Sequence, residues 1–261
     1  SAWSYFPAVA NAFPPIAPTS LAPDGVARDA TSPVVFSWRH RNGGDGARQS
    51  AYELRWSTNG GATWTSTGMV TSGAYEHTAP AGTFTNGTAV QWQVRTWGVT
   101  SVGPGAWSPS STITFSAVPQ VTLTAPPPVQ MSVPLTASWT YVQANGSPQA
   151  QWEARLYAAT GTDPTSPSGI VETRSGVGSE TSTTFEYRIE DGAYYRVEVR
   201  AQSGAGLWSS WVSADTVVDL PLPAAPTVTG EYDLCTGTVV LHLGSLPPGM
   251  GSARSDILFS T

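Results

Sequence analysis

The chain repeats itself at a period of about one domain. "PVVFSW" (33–38), "PLTASW" (134–139) and "TVVLHL" (238–243) are three versions of one short segment, with Trp38 and Trp139 101 residues apart and Trp139 and Leu243 104 apart. "YELRWST" (52–58), "QWEARLY" (151–157) and the closing "DILFST" (256–261) form a second set, and "VQWQVRTW" (90–97) and "YRVEVRAQ" (195–202) a third. A repeat near 100 residues is long enough to bury its own core, so each copy is expected to be a domain of its own. The ends follow the same rule. "SAWSYFPAVANAFPP" (1–15) overlays "GAWSPSSTITFSAVP" (105–119) at a spacing of 104. The expected organisation is therefore the last strand of a preceding repeat at 1–15, full modules at 16–119 and 120–221, and the first strands of a truncated third at 222–261, a window on a longer tandem array.

Within a module the apolar residues alternate with polar ones, the period of a half-buried strand. The 26 Gly and 22 Pro supply the turns between strands, and no segment carries a helical apolar stripe. About seven short strands in roughly 100 residues, without a disulfide, describe an immunoglobulin-like sandwich of two antiparallel sheets. The fold class is thus all-β, as tandem sandwiches. Phase places Val34, Phe36, Trp38, Leu54, Trp56, Trp92 and Val94 in the first core. In the second module it places Trp152, Ala154 and Leu156 inward, with Glu153 and Arg155 outward. Cys235 is the single cysteine and reads as a small buried hydrophobe.

The residues that close the strands resemble the fibronectin type III domain. They are Trp38 and Trp139 ending the second strand, the Tyr195-x-Val197-x-Val199-x-Ala201 run of the sixth, and Gly105-x-Trp107-Ser108 and Gly206-x-Trp208-Ser209 leading into the seventh. Val90 stands where that family has its corner tyrosine, and Leu243 where it has the second-strand Trp. "WSSWV" (208–212) is similar to the Trp-Ser box of cytokine receptors. That resemblance implies that Trp208 and Trp211 stack with outward arginines of the neighbouring strand, for which Arg196 and Arg200 are the candidates.

Chemistry is harder to find. His40, His77 and His242 lie in unrelated contexts without ligand spacing, so no metal or catalytic set is expected. The acids are scattered along outward strand positions. "RNGGDGAR" (41–48) joins two strands and precedes no helix, so it reads as a flexible connection rather than a phosphate loop. Asn86-Gly-Thr and Asn145-Gly-Ser match the glycosylation pattern and read more simply as turns. No cofactor, catalytic residue or metal is expected. The twelve basic residues are all Arg, against 18 acids for a formal charge of −6, which argues against a nucleic-acid partner. No apolar run of membrane-spanning length occurs, so no membrane insertion is expected. What remains is a binding rim. The connections after the second and sixth strands, 41–49 and 98–106, share one end of the sandwich, and Trp97, Trp107, Arg41 and Arg48 are the candidate contacts for a glycan or a protein partner.

"QWQVRTWG" (91–98) and "WSTNGGATW" (56–64) resemble segments of minor tail and tail-fibre proteins of bacteriophages with actinobacterial hosts. The resemblance implies a structural and adhesive virion protein of a tail tip or fibre and not an enzyme. It implies tail proteins and further copies of itself as partners, a trimer being the expected oligomer, and contact with a host-surface glycan. Spacer modules of a secreted polysaccharide-degrading enzyme, or a bacterial surface adhesin, are the alternative expectations.

Overall fold

The computed structural model describes residues 13–159 and 165–221, with the backbone of two further strands at 228–233 and 238–243. Cys235, the closing "DILFST" and residues 1–12 lie outside the described residues, as do the side chains of His242 and Leu243. The first module is built from β1 (Ile16–Ala22), β2 (Val26–Arg28), β3 (Val34–Arg41), β4 (Ala51–Ser57), β5 (Thr65–Ser66), β6 (Val70–Thr71), β7 (Glu76–Ala79), β8 (Ala89–Trp97) and β9 (Ser111–Phe115). The second uses β10 (Gln120–Ala125), β11 (Val129–Gln130), β12 (Thr136–Val142), β13 (Gln149–Ala158), β14 (Gly169–Val177), β15 (Ser182–Thr184), β16 (Tyr194–Ser203) and β17 (Val212–Val218). A further hairpin pairs β18 (Val228–Asp233) with β19 (Thr238–Leu243). There is no α-helix among the described residues, and the chain is a set of all-β, immunoglobulin-like sandwiches.

The two modules share one topology. A small sheet, β1-β3-β7 or β10-β12-β15, faces a larger one, β2-β9-β8-β4-β5 or β11-β17-β16-β13-β14. In each, the chain leaves the small sheet after its first strand and crosses to lie parallel to the last one, β2 on β9 and β11 on β17. Pro23 and Pro126 stand just after those first strands, where a residue without an N–H ends the ladder. The carbonyl of Pro23 accepts the Trp92 indole N–H at 3.0 Å, so the crossing is fastened to the core.

The cores follow the alternation. Val34, Phe36, Trp38, Leu54, Trp92 and Val94 are buried, and Trp56 is half-buried against them. In the second module Trp152, Ala154 and Leu156 meet Trp139, Phe185, Val197 and Val199. Each large side chain contributes about 1.5–3 kcal/mol of burial. Gly176 lies opposite Trp152 across β13 and β14, and a Cβ there would come within 2.6 Å of the indole, so this position must stay bare for the ring to lie flat.

One polar group recurs inside both cores. The indole N–H of Trp38 donates to Oε1 of Gln49 at 2.9 Å, and Nε2 of Gln49 donates onward to the carbonyls of Ser72 and Ala74. The indole N–H of Trp139 donates to Oε1 of Gln149 at 3.1 Å, and that amide reaches the carbonyls of Gly178 and Glu180. Both glutamines are buried. Each joins the second strand to the irregular segment that returns to the small sheet, and it satisfies three groups that would otherwise be buried without partners.

The connection before the sixth strand is held differently in the two copies. Tyr195 accepts the N–H of Glu190 at 3.0 Å, the corner its position implies. Val90 is fully buried and has no hydroxyl, so the first module uses Asn86 instead. Its Oδ1 accepts the N–H of Ala30 and its Nδ2 donates to Asp29. In the Asn86-Gly and Asn145-Gly pairs it is Gly87 and Gly146 that take positive φ, at 96° and 75°.

Replacing Gln149 with Leu should strand the Trp139 N–H and two carbonyls in the core. The expected loss is about 2–3 kcal/mol in the second module, read as a lower urea midpoint at unchanged slope.

Candidate functional site

The outward face of each large sheet carries a ladder of indoles and guanidiniums. In the first module Arg55 lies over Trp64 at 4.4 Å and Trp107 at 4.0 Å, and Arg95 over Trp107 at 4.6 Å and Trp97 at 5.4 Å. In the second, Arg155 lies over Trp211 at 4.0 Å, and Arg200 over Trp211 at 4.7 Å and Trp208 at 4.4 Å. Cross-strand acids hold the arginines in place, Glu53 for Arg95 and Glu153 for Arg200. The serine after each Trp explains the Gly-x-Trp-Ser spacing. Ser108 Oγ accepts the N–H of Val94, and Ser209 Oγ that of Ala201, both at 3.1 Å, which fixes where the indole leaves the edge.

Arg200 is in the ladder as its spacing implies, but Arg196 is not. Pairing of β16 with β17 sets Val199 opposite Val212 and Arg196 opposite Asp215, so Trp211 comes level with Arg200 while Arg196 forms a two-bond pair with Asp215. Arg155, one strand further on, takes the second indole. The register of the last strand decides this, and single-strand periodicity does not show it.

The four candidate contact residues fall into two groups. Trp97 is buried, and Arg55 and Arg95 both lie over the ring of the half-buried Trp107, so both rings belong to the ladder. Arg41 ends β3 and Arg48 lies in the following loop; both are exposed and neither makes an ion pair among the described residues. That loop is anchored, unlike the loose connection its glycines suggest. Asp45 accepts the N–H of Ala47 at one oxygen and the N–H of Phe13 at the other, and Asn42 accepts that of Gly44. Phe13–Pro15 run so close to Gly43 and Gly105 that a Cβ at either position would strike their backbone. The lead into the module thus fills the space between the two loops.

The same capture recurs at the next junction. The N–H of Ala117, 104 residues after Phe13, donates to Oδ1 of Asn145 at 2.8 Å. The buried Gln143 adds a second grip, donating to the carbonyl of Ala117 and the hydroxyl of Ser116 while accepting the N–H groups of Asn145 and Ser147. Gly87 of the first module faces Asn145 directly, a Cβ there coming within 3.0 Å of its Nδ2.

Titratable groups are few and dispersed. Burial pushes His77 below the ordinary histidine range, and the Tyr52 hydroxyl meets its Nδ1 at 3.0 Å. Burial, then the neighbouring Arg95 cation, lowers Arg55. Among the described residues no three His, Cys, Asp or Glu side chains gather in a way that would hold a metal ion.

The family model described as "Rha78A-like, N-terminal immunoglobulin domain" matches residues 23–117. No curated protein sequence matches the chain. Among solved structures, the FN1–FN3 domains of chicken CNTN1 share 20% identity, with 79% of this chain and 69% of that one covered and a TM-score of 0.46. The CbhA fibronectin(III)-like modules of Clostridium thermocellum share 12% identity over 77% of this chain and 94% of theirs, also with a TM-score of 0.46.

Two outcomes are expected. Arg200→Gln removes two ring contacts and the Glu153 pair and should cost about 1–2 kcal/mol, whereas Arg196→Gln, which breaks one exposed pair, should stay within about 0.5 kcal/mol, both read from urea unfolding by Trp fluorescence. Because folding depresses the His77 pKa, its contribution is complete above the unfolded value, about 6.5, and is lost as pH falls from there. His77→Gln should therefore flatten the fall in the first module's thermal midpoint between about pH 7.5 and 5.5.

Proposed function

We propose that this chain is a stretch of a modular array whose work is mechanical and adhesive, in the tail tip or fibre of a bacteriophage. The observation that carries the reading is the repeated junction. Phe13 on Asp45 and Ala117 on Asn145 place the incoming backbone in the same grip at the entrance of successive modules. A linker clamped by a buried glutamine restricts the angle between neighbours, which is what a projecting fibre requires and a free tether does not. Repetition then multiplies weak surface contacts. The resemblance of segments 91–98 and 56–64 to tail proteins supplies the particular setting, with other tail proteins and further copies of the chain as partners.

A second reading places these modules as accessory domains beside a catalytic domain in a secreted enzyme. It draws on the match of 23–117 to a domain named for its N-terminal place in another protein.

Mass spectrometry of the native source separates the two: peptides of this chain among tail proteins at a few copies per particle are expected, and a single secreted polypeptide that also carries a hydrolase domain would overturn the virion reading. The array reading is tested by residual dipolar couplings. Both modules should fit one alignment tensor, and Gln143→Ala should give two, whereas two tensors already in the unaltered chain would remove the fixed-angle mechanism.

A further inference from the structure

Most arginines of this chain are occupied. Arg55, Arg95, Arg155 and Arg200 lie over indoles, Arg174 pairs with Glu172 and Glu186, Arg196 pairs with Asp215, and Arg28 donates to the carbonyl of Ala27. Among the described residues Arg39 and Arg41 have neither an acid nor a ring, and they stand two residues apart on the outward face of β3, with guanidinium-bearing side chains spaced about 7 Å along the strand. Together with Ile16, Thr19, His40 and Asn42 they line a depression of about 410 Å³.

The depression is built by the edge strand. β1 opposes β3 with Ile16 across from Arg41 and Thr19 across from Arg39, and the register slips between Ile16 and Thr19 and again between Thr19 and Ala22. Ser20 carries a φ of 53°, unusual for a residue with a side chain. Such bulges re-aim side chains at a sheet edge. The lining is rich in donors: two guanidiniums, the Thr19 hydroxyl, which can donate as well as accept, and the Asn42 amide, whose oxygen already accepts the N–H of Gly44. No acid lines it. Asp45, in the loop that follows β3, does not line it and stays ionised, its oxygens held by the N–H groups of Ala47 and Phe13, and both His40 ring nitrogens are taken by Thr96 and the Ala47 carbonyl.

The second module shows that the scaffold does not need these charges. Its counterparts of Arg39 and Arg41 are Thr140 and Val142, on a strand paired in the same sense. Residues 16–119 carry six arginines and five acids, whereas 120–221 carry five and ten. A local cationic hollow in an otherwise acidic chain suits a short anionic segment held by paired guanidinium hydrogen bonds better than it suits a long duplex polyanion. The exposed Ile16 offers an apolar patch to the C–H face of a sugar ring.

We propose that the β1–β3 depression of the first module binds acidic polysaccharide through the carboxylate or phosphate groups on its sugar units. This rests on the adhesive reading above and gives it a ligand class and a place, away from Trp97 and Trp107.

The test titrates the whole chain by NMR and calorimetry with hexagalacturonate, a 6-phosphomannose oligosaccharide and neutral maltohexaose. Binding of one or both anionic probes is expected, weakening as salt rises, with shifts centred on Thr19 and Asn42. Which anion binds identifies carboxylate or phosphate as the recognised group. Arg39→Gln with Arg41→Gln should weaken binding at least about tenfold at an unchanged unfolding midpoint, and Arg188→Gln should leave it alone. Equal binding of maltohexaose, no binding of either anion, or an equal loss in Arg188→Gln overturns the site. So does a dimer that the double variant dissociates while no glycan binds, since the hollow is then a contact between copies. A chain that binds neither anion yet keeps one alignment tensor loses this site and retains the array mechanism; two tensors with intact binding have the opposite meaning.

Discussion

Each sandwich turns on the bond between a core indole and a buried carboxamide. The tryptophan closing the second strand is too large to leave outside and carries an N–H that cannot be buried alone. Gln49 and Gln149 accept that N–H and spend their own amide hydrogens on carbonyls of the segment where the chain leaves one sheet for the other. Those carbonyls have no ladder partner because the path there is irregular. A hydrocarbon of equal size would fill the space and leave three polar groups unsatisfied. The clamp also fixes the loop between the Trp and the Gln, which holds Asp45 in one module and Asn145 in the other. Because those side chains capture the incoming backbone, the joint between modules inherits its geometry from the core.

The outer face of the larger sheet solves a different problem. A chain with 11% charged residues and no lysine has few polar side chains with which to cover a wide sheet. Interleaving guanidiniums with indoles lets a few arginines shield several rings, each contact adding about 0.5–1 kcal/mol, while cross-strand glutamates keep the cations in line. The ladder therefore engages Trp64, Trp97 and Trp107 in one module and Trp208 and Trp211 in the other with guanidiniums. Trp97 and Trp107 drew attention as large rings near a loop rim, yet their faces are directed to Arg95 and Arg55.

Legibility in the sequence divides along the same lines. The repeat and the strand phase showed the sandwich class and the core residues Phe36, Leu54, Trp92 and Leu156, because side-chain burial in a strand has a fixed period of two. Periodicity is silent on pairing between strands distant in sequence. That silence hid the exchange of Arg155 for Arg196 and the entry of Trp64 into the first ladder. The two clamping glutamines recur 100 residues apart and could have been found by asking which polar residues the repeats share. They were missed because a Gln at the start of a strand looks like an ordinary loop residue. Asp45 and Asn145 were hidden in glycine-rich turns for the same reason, since an Asx side chain that grips a distant backbone has no local signature.

Comparing the two modules separates what the fold demands from what it merely permits. Trp38 and Trp139, Gln49 and Gln149, Ser108 and Ser209, and the acids that steady the ladder arginines all recur, and each has a structural duty in both places. Val90 and Tyr195 differ, but Asn86 supplies a substitute fastening, so that difference is compensated within the fold. Arg39 and Arg41 stand where the second module has Thr140 and Val142, and among the described residues neither guanidinium forms an ion pair. Two cations beside a bulged edge strand, without an acid among the described residues, add nothing to the packing of the core. Between two modules built on one plan, such a position is where sequence can diverge without disturbing the shared sheet and core.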